Sequence, residues 1–335
     1  MTIPRLHWIS LPSRTWIAVR GADAATVLHR FCTNHVLDLP DGAGCEAMFL
    51  NLKGTLLAFT EIYRAPMSQS SERWITGDGE FGSAQIKHLD YYVISEDVVF
   101  EDLSSELQNV LVLGLEPSQA EELGIEPDFL TADLPAMTWL KANAGLASPA
   151  SDSPTPARAI RSRQFGSDAI LLSAPPALMT DLLATIEGWG ASELPLEHAE
   201  RLRVRHVFPR MGQETDERTL PQELGRDEAA IHFSKGCYLG QETVARLDAL
   251  GHVNRLLVRI RSEGACPAVG AALFHDDKDI GRLTSVLPCE QPETGWIGLA
   301  NVKRMLAKPG VELRVGPEGT VATVDGTYTE LFGKR

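Results

Sequence analysis

Two glycines four residues apart bracket one cysteine in the stretch Lys235-Gly236-Cys237-Tyr238-Leu239-Gly240-Gln241-Glu242. A backbone with two such positions close together turns sharply or lies close against another segment. Lys235, two residues before the thiol, favours the thiolate, which is the reactive and metal-binding form of cysteine. A free cysteine more often packs as a small apolar side chain, but this surrounding pattern points to a functional thiol, with Cys237 and Lys235 as candidate catalytic residues. Tyr238 offers a ring face to a planar ligand or fills core. Gln241 and Glu242 offer donors and acceptors to a ligand edge, or serve the first turn of a helix over 243–250, where an acid suits the helix dipole. Arg246, four residues after Glu242, completes an i, i+4 ion pair or meets an anionic ligand.

The length of 335 residues suits two or three domains, and 44% apolar with 23% charged residues is the composition of an ordinary globular chain. No run approaches the roughly 18 apolar residues of a membrane span. The start MTIPRLHWIS has no basic region followed by an apolar run, so a cytoplasmic chain is expected. Five cysteines, at 32, 45, 237, 266 and 289, are widely spaced without a C-x-x-C pair, which fits a reducing compartment and argues against a metal site built by this chain alone. A transient cluster shared with a partner stays open. Cysteines 32, 45, 266 and 289 lack surroundings like those of Cys237 and read as structural.

With 31 Lys and Arg against 45 Asp and Glu, the net charge of −14 opposes generic nucleic-acid binding. Arg201, Arg203, Arg205 and Arg210 form a local exception that reads either as a solvated helix face or as an anion site. Six tryptophans, at 8, 16, 74, 139, 189 and 296, are spread along the chain without forming a stacking track for single-stranded RNA.

Periodicity predicts a strand over 14–20, a helix after an Asp23 N-cap, and two strands within 45–63 joined at Asn51-Leu52-Lys53-Gly54. It further predicts strands over 73–76, 107–113 and 168–173, and helices over 79–92, 177–187 and 194–207. Residues 142–158, rich in Ala, Ser and Pro, read as an exposed mobile connection. Thr219-Leu220-Pro221-Gln222 has a capping-box pattern opening a short helix that ends at Gly225. From His252 onward, short β-type segments alternate with Gly, Pro and Asp, the pattern of a small all-β barrel or sandwich. The expected domains are therefore 1–250 and 251–335.

The octapeptide closely resembles the signature of the YgfZ family of folate-binding proteins, relatives of the glycine-cleavage T-protein, an aminomethyltransferase. Other blocks match that superfamily in order: Gly21-Ala22-Asp23-Ala24 with Leu28 and Thr33-Asn34, then Phe49-Leu50-Asn51-Leu52-Lys53-Gly54, Glu61-Ile62-Tyr63-Arg64, Asp216 to Glu223, and Gly281-Arg282-Leu283-Thr284-Ser285. The resemblance implies an α+β aminomethyltransferase fold of interleaved subdomains around a central opening that admits a folate, with a small C-terminal β-barrel. It implies tetrahydrofolate or a derivative as cofactor, with Asn51, Glu223, Tyr238, Gln241, Glu242 and Arg246 as candidate contacts. It also implies a role in maintaining iron–sulfur enzymes, including those that modify tRNA, with such enzymes or assembly proteins as partners; strong direct tRNA binding and membrane association are not expected.

Two departures bear on activity. Where the aminomethyltransferase carries an acidic residue after its hairpin glycines, this chain reads Gly54-Thr55-Leu56-Leu57-Ala58-Phe59, and neither Ala58 nor Phe59 holds a cationic amine or moves a proton. Where the family often carries Arg-x-Glu-Ala-Gly, with a glutamate that accepts from the pterin, this chain reads Arg203-Val204-Arg205-His206-Val207, and arginine has no acceptor. Glu200 or Glu223 would have to read the pterin, or the pocket serves another ligand. A folate-dependent C1 transferase and a non-enzymatic scaffold remain the alternatives.

Overall fold

The computed structural model describes residues 6–12, 14–66, 72–79, 81–133, 135–140, 156–289, 294–317 and 319–333. Most of the connection expected at 142–158 lies outside the described residues. The chain forms two compact units. The first contains Met1–Phe31, His35–Glu46 and Thr60–Ala199; the second contains Cys32–Asn34, Ala47–Phe59 and Glu200–Arg335.

In the first unit a six-stranded sheet runs in the order Ser192–Glu193, His7–Leu11, Gln108–Leu113, Ala169–Ala174, Arg158–Arg161, Ala136–Trp139. Its central strand Ala169–Ala174 is buried at every position, which explains a continuous apolar run in place of alternation. Ile170, Leu172 and Ala174 point to one face and pack with Val110 and Val112. Helix Pro176–Gly188 covers that face with Met179, Leu182 and Ile186, and Pro176 supplies the fixed φ that suits a first helical residue. A five-stranded sheet follows the order Gly44–Leu50, Leu56–Arg64, Arg73–Asp78, Arg14–Arg20, Val99–Asp102.

The strand Leu56–Arg64 carries a buried carboxylate a little beyond the position at which the sequence lacks one. Glu61 accepts from the Tyr63 hydroxyl at 2.8 Å and from the Arg163 amide at 3.2 Å. Burial, reinforced by the Glu46 carboxylate, pushes the Glu61 carboxyl up.

Three of the tryptophans are not dispersed. Trp74 packs edge-on to Trp16 at 6.4 Å and to Trp139 at 5.8 Å between centroids. The fully buried Arg158 guanidinium lies 3.9 Å from the Trp74 centroid, and burial lowers its pKa to about 9. The aromatic cluster holds an interior cation; it is not a surface track.

In the second unit, Arg255–Ser262, Trp296–Lys303, Lys278–Pro288, Ala272–His275, Glu312–Val315 and Val321–Gly326 close into a barrel in that order. Alternate residues such as Val258, Ile260, Leu283, Ala300, Val302, Leu313 and Val324 fill its interior, and closure removes free strand edges. Before the barrel, the second unit carries the helices Asp227–Ala230 and Gln241–Leu250. No helix among the described residues is long and apolar enough to cross a membrane.

Asp227, at the start of its short helix, has a buried carboxylate oxygen without a hydrogen-bond partner. Burial, with Asp248 next, pushes its carboxyl up to about 7. A carboxyl raised on folding contributes stability below its unfolded pKa, and that contribution is lost as pH rises through about 7. Urea unfolding of Asp227→Asn and the parent chain should therefore give a stability difference that moves in favour of the variant between about pH 4 and pH 8, by a few kcal/mol at most. A difference independent of pH contradicts this.

Candidate functional site

Three of the sequence blocks meet in the second unit: the hairpin turn at 51–54, the segment 216–223 and the octapeptide. Asn51 organises the turn. Its side-chain oxygen accepts from the amides of Lys53 at 2.9 Å and Thr55 at 3.1 Å, and its amide nitrogen donates to the Thr55 hydroxyl at 2.6 Å. Gly54 has φ +78°, and a Cβ there would lie 2.5 Å from Thr243 Cβ. Gly240 has φ +80°, and a Cβ there would lie 2.7 Å from the Asn51 carbonyl oxygen and 3.2 Å from Gly54 Cα. The second glycine of the octapeptide is therefore required twice, by its left-handed conformation and by the hairpin lying against it. Thr243 completes the join by donating to the Lys53 carbonyl at 2.8 Å.

Segment 216–223 enters through the Leu56 amide, which donates to the Thr219 carbonyl at 2.9 Å. The expected capping box is realised one residue later: Glu223 accepts from the Leu220 amide at 3.0 Å, while Thr219 accepts from the Asp216 amide at 2.8 Å. The short helix Pro221–Leu224 ends at Gly225 as expected. Burial pushes the Glu223 carboxyl up.

Lys235 is buried and its ammonium donates to the carbonyls of Cys32 at 2.7 Å and Asn34 at 2.6 Å. The thiol 3.9 Å from it belongs to Cys32, a residue that spacing alone leaves as structural. Burial raises the Cys32 thiol, and Lys235 partly offsets that. Cys237 is exposed. Lys235 thus ties the octapeptide to 32–34, where Thr33 donates to the Ala230 carbonyl at 2.6 Å and Asn34 to the Ala229 carbonyl at 2.9 Å. The signal for these partners was present in the Thr33-Asn34 block, but its pairing with Lys235 spans some two hundred residues.

Tyr238 joins Met48, Leu50, Phe59, Phe208 and Val244 in an apolar cluster, and burial, followed by the effect of Cys32, moves its hydroxyl to about 12. Helix Gln241–Leu250 begins two residues earlier than periodicity suggests, so Gln241 and Glu242 lie in its first turn. Exposed Glu242 and Arg246 line a pocket of about 320 Å³ with Leu220, Thr243, Leu247 and His252. The structure thus brings Asn51, Glu223, Tyr238, Gln241, Glu242 and Arg246 into one unit, and Glu242 and Arg246 into one cavity.

The arginine run is neither a solvated face nor an open anion site. Arg203 is fully buried and donates to Glu214 at 2.9 Å, to the Ser285 hydroxyl at 2.7 Å and to the Phe208 carbonyl at 2.8 Å. Ser285 also donates to Glu214, and a register shift between Leu283 and Ser285 marks this place in the strand. Arg203 and Arg210 both engage Glu200. Val207 stands where the family motif has its glycine and keeps a left-handed φ of +50°, a strained conformation for a β-branched residue. The buried Arg226 guanidinium donates to the Val207 carbonyl at 3.2 Å and lies 3.7 Å from the Tyr328 ring centroid.

Gly240→Ala introduces both a strained φ and a backbone clash. It should lower stability by about 1–3 kcal/mol in urea unfolding. Gly236→Ala, with open space around the added Cβ, should cost far less. Equal losses would contradict the close-approach argument.

No protein-family model matches the chain. It is 25% identical over 311 residues to an aminomethyltransferase of Rippkaea orientalis, covering 90% of this chain and 79% of that protein. It is 41% identical over 63 residues to the tRNA-modifying protein YgfZ of Colwellia psychrerythraea, covering 18% of this chain and 19% of that protein. The crystal structure of the glycine cleavage system aminomethyltransferase T from Bartonella henselae superposes with a TM-score of 0.81 at 15% identity, over 98% of this chain and 87% of that one. The fold is therefore the α+β T-protein fold with a small C-terminal β-barrel, as expected from the sequence. The chain is related to the aminomethyltransferase, or T-protein, superfamily and has partial similarity to YgfZ proteins.

Proposed function

We propose that the chain is a cytoplasmic protein that binds a reduced folate and supports iron–sulfur enzymes, including ones that modify tRNA, with Cys237 as its functional thiol. The observation that carries this reading is the octapeptide's architecture: Gly240 clamps it to the hairpin, Lys235 anchors it to 32–34, and Cys237 alone of its central residues keeps a polar side chain exposed. The relatives' names add a folate-superfamily setting.

The residues fit a folate at two points. Arg246, beside His252 in the 320 Å³ cavity, would hold a carboxylate of the glutamate tail. The amino-pyrimidine edge needs an acceptor. Glu200 is engaged by Arg203 and Arg210, and Glu214 by Arg203, so Glu223 would take this contact. Aminomethyl transfer is disfavoured because Ala58 and Phe59 are buried and apolar at the place of the family's acidic residue.

Among the described residues no three His, Cys, Asp or Glu side chains are grouped to hold a metal ion. An iron–sulfur cluster in transit would take Cys237 as one ligand and the others from its protein partner.

Calorimetry with tetrahydrofolate under reducing conditions should give saturable one-to-one binding in the micromolar range, about −8 kcal/mol, weakened roughly tenfold or more by Arg246→Glu. No binding at millimolar ligand removes folate from the account. Cys237→Ser should fold normally, bind folate like the parent, and fail to restore cluster-enzyme activity in cells lacking the protein. Full restoration removes the thiol from the mechanism.

A further inference from the structure

The barrel carries two cysteines that the proposed function leaves unused. Strand Arg255–Ser262 ends with Ser262 opposite Trp296, and Trp296 is also opposite Pro288, so three strand ends lie side by side. The chain leaving Ser262 next enters a strand at Ala272, which pairs with Arg282 of Lys278–Pro288. Just before that, the Gly270 amide donates to the Leu283 carbonyl at 2.7 Å. The connection 263–271 therefore crosses from the first strand of the three to the third. Cys266 lies within this crossing, and Cys289 directly follows Pro288.

Gly295 joins the two segments. It accepts from the Cys289 amide at 2.9 Å, and a Cβ on it would lie 1.9 Å from the Ser262 carbonyl oxygen and 2.6 Å from Glu263 Cα. Cys266 is exposed, with only a long 3.9 Å contact from its sulfur to the Pro267 carbonyl, and Cys289 is half-buried. Burial raises the Cys266 thiol, and the nearby Cys289 thiol adds to that, an independent sign that the two sulfurs are neighbours.

We propose that Cys266 and Cys289 are a reversible dithiol–disulfide pair oxidised by a low-molecular-weight disulfide such as glutathione disulfide. The exposed Cys266 thiolate attacks one glutathione sulfur, forming a mixed disulfide and expelling one glutathione thiolate. The Cys289 thiolate then attacks the Cys266 sulfur, closing the intramolecular disulfide and expelling the second glutathione thiolate. The protein loses two electrons and two protons, and glutathione disulfide becomes two glutathione molecules. The bond staples the crossing 263–271 to the end of the strand Lys278–Pro288.

The test is to incubate the full chain anaerobically with glutathione disulfide, block remaining thiols and map the peptides by mass spectrometry. The expected product is a Cys266–Cys289 cross-link reversed by dithiothreitol. In Cys289→Ser the reaction should stop at one glutathione on Cys266, while exposed Cys237 stops at that stage in both proteins. Glutathione retained on Cys266 in the parent chain, Cys266 joined to another cysteine, or an unreactive Cys266 would each overturn the proposal.

Discussion

The approach of the hairpin turn at Gly54 to the left-handed turn at Gly240 governs how the second unit presents its motifs. Neither position has room for a Cβ: one would meet Thr243, the other the Asn51 carbonyl and the Gly54 backbone. Removing both Cβ atoms lets two polar backbone turns touch, and the bond from Thr243 to the Lys53 carbonyl then satisfies a group left free by the turn. The start of helix Gln241–Leu250 is fixed by that contact, and with it the position of Glu242 and Arg246 on the cavity wall.

Around this join the unit relies on buried cations with fully assigned carbonyl and carboxylate partners. Lys235 binds two carbonyls of 32–34, Arg203 binds Glu214 and Ser285, and Arg226 reaches the carbonyl of the strained Val207. A buried charge without such partners is strongly destabilising, so each of these cations specifies its neighbours as well as tolerating burial. That explains why the family-like blocks, far apart in sequence, keep their order: each supplies an acceptor to a cation in another block. Ser285 of the Gly-x-x-Thr-Ser element is one such acceptor.

Much of the fold was legible because local signals agreed with one another. The strand at 14–20, the hairpin around Asn51–Gly54, the buried strand at 169–174 and the barrel all follow from alternation, apolar runs and turn residues. The capping of Pro221–Leu224 was displaced by one residue because Thr219 bonds to Asp216, leaving Glu223 to reach back. What could not be read was long-range polar pairing. Nothing local indicates that Lys235 serves Cys32, that Arg203 turns inward to Glu214, or that Trp16, Trp74 and Trp139 gather about Arg158. Side-chain identity gives hydrogen-bonding capacity; only the packed chain assigns the partner.

The central claim is that the Gly54–Gly240 join makes the hairpin and the octapeptide one ligand-bearing element. Hydrogen exchange of the amides in 51–56 and 238–244, measured with and without saturating tetrahydrofolate, tests it most directly. The account predicts that both segments gain protection together on addition of the folate, and that both lose protection together in Gly240→Ala. Protection of one segment without the other, or no response of either in a protein that binds the folate, would contradict it.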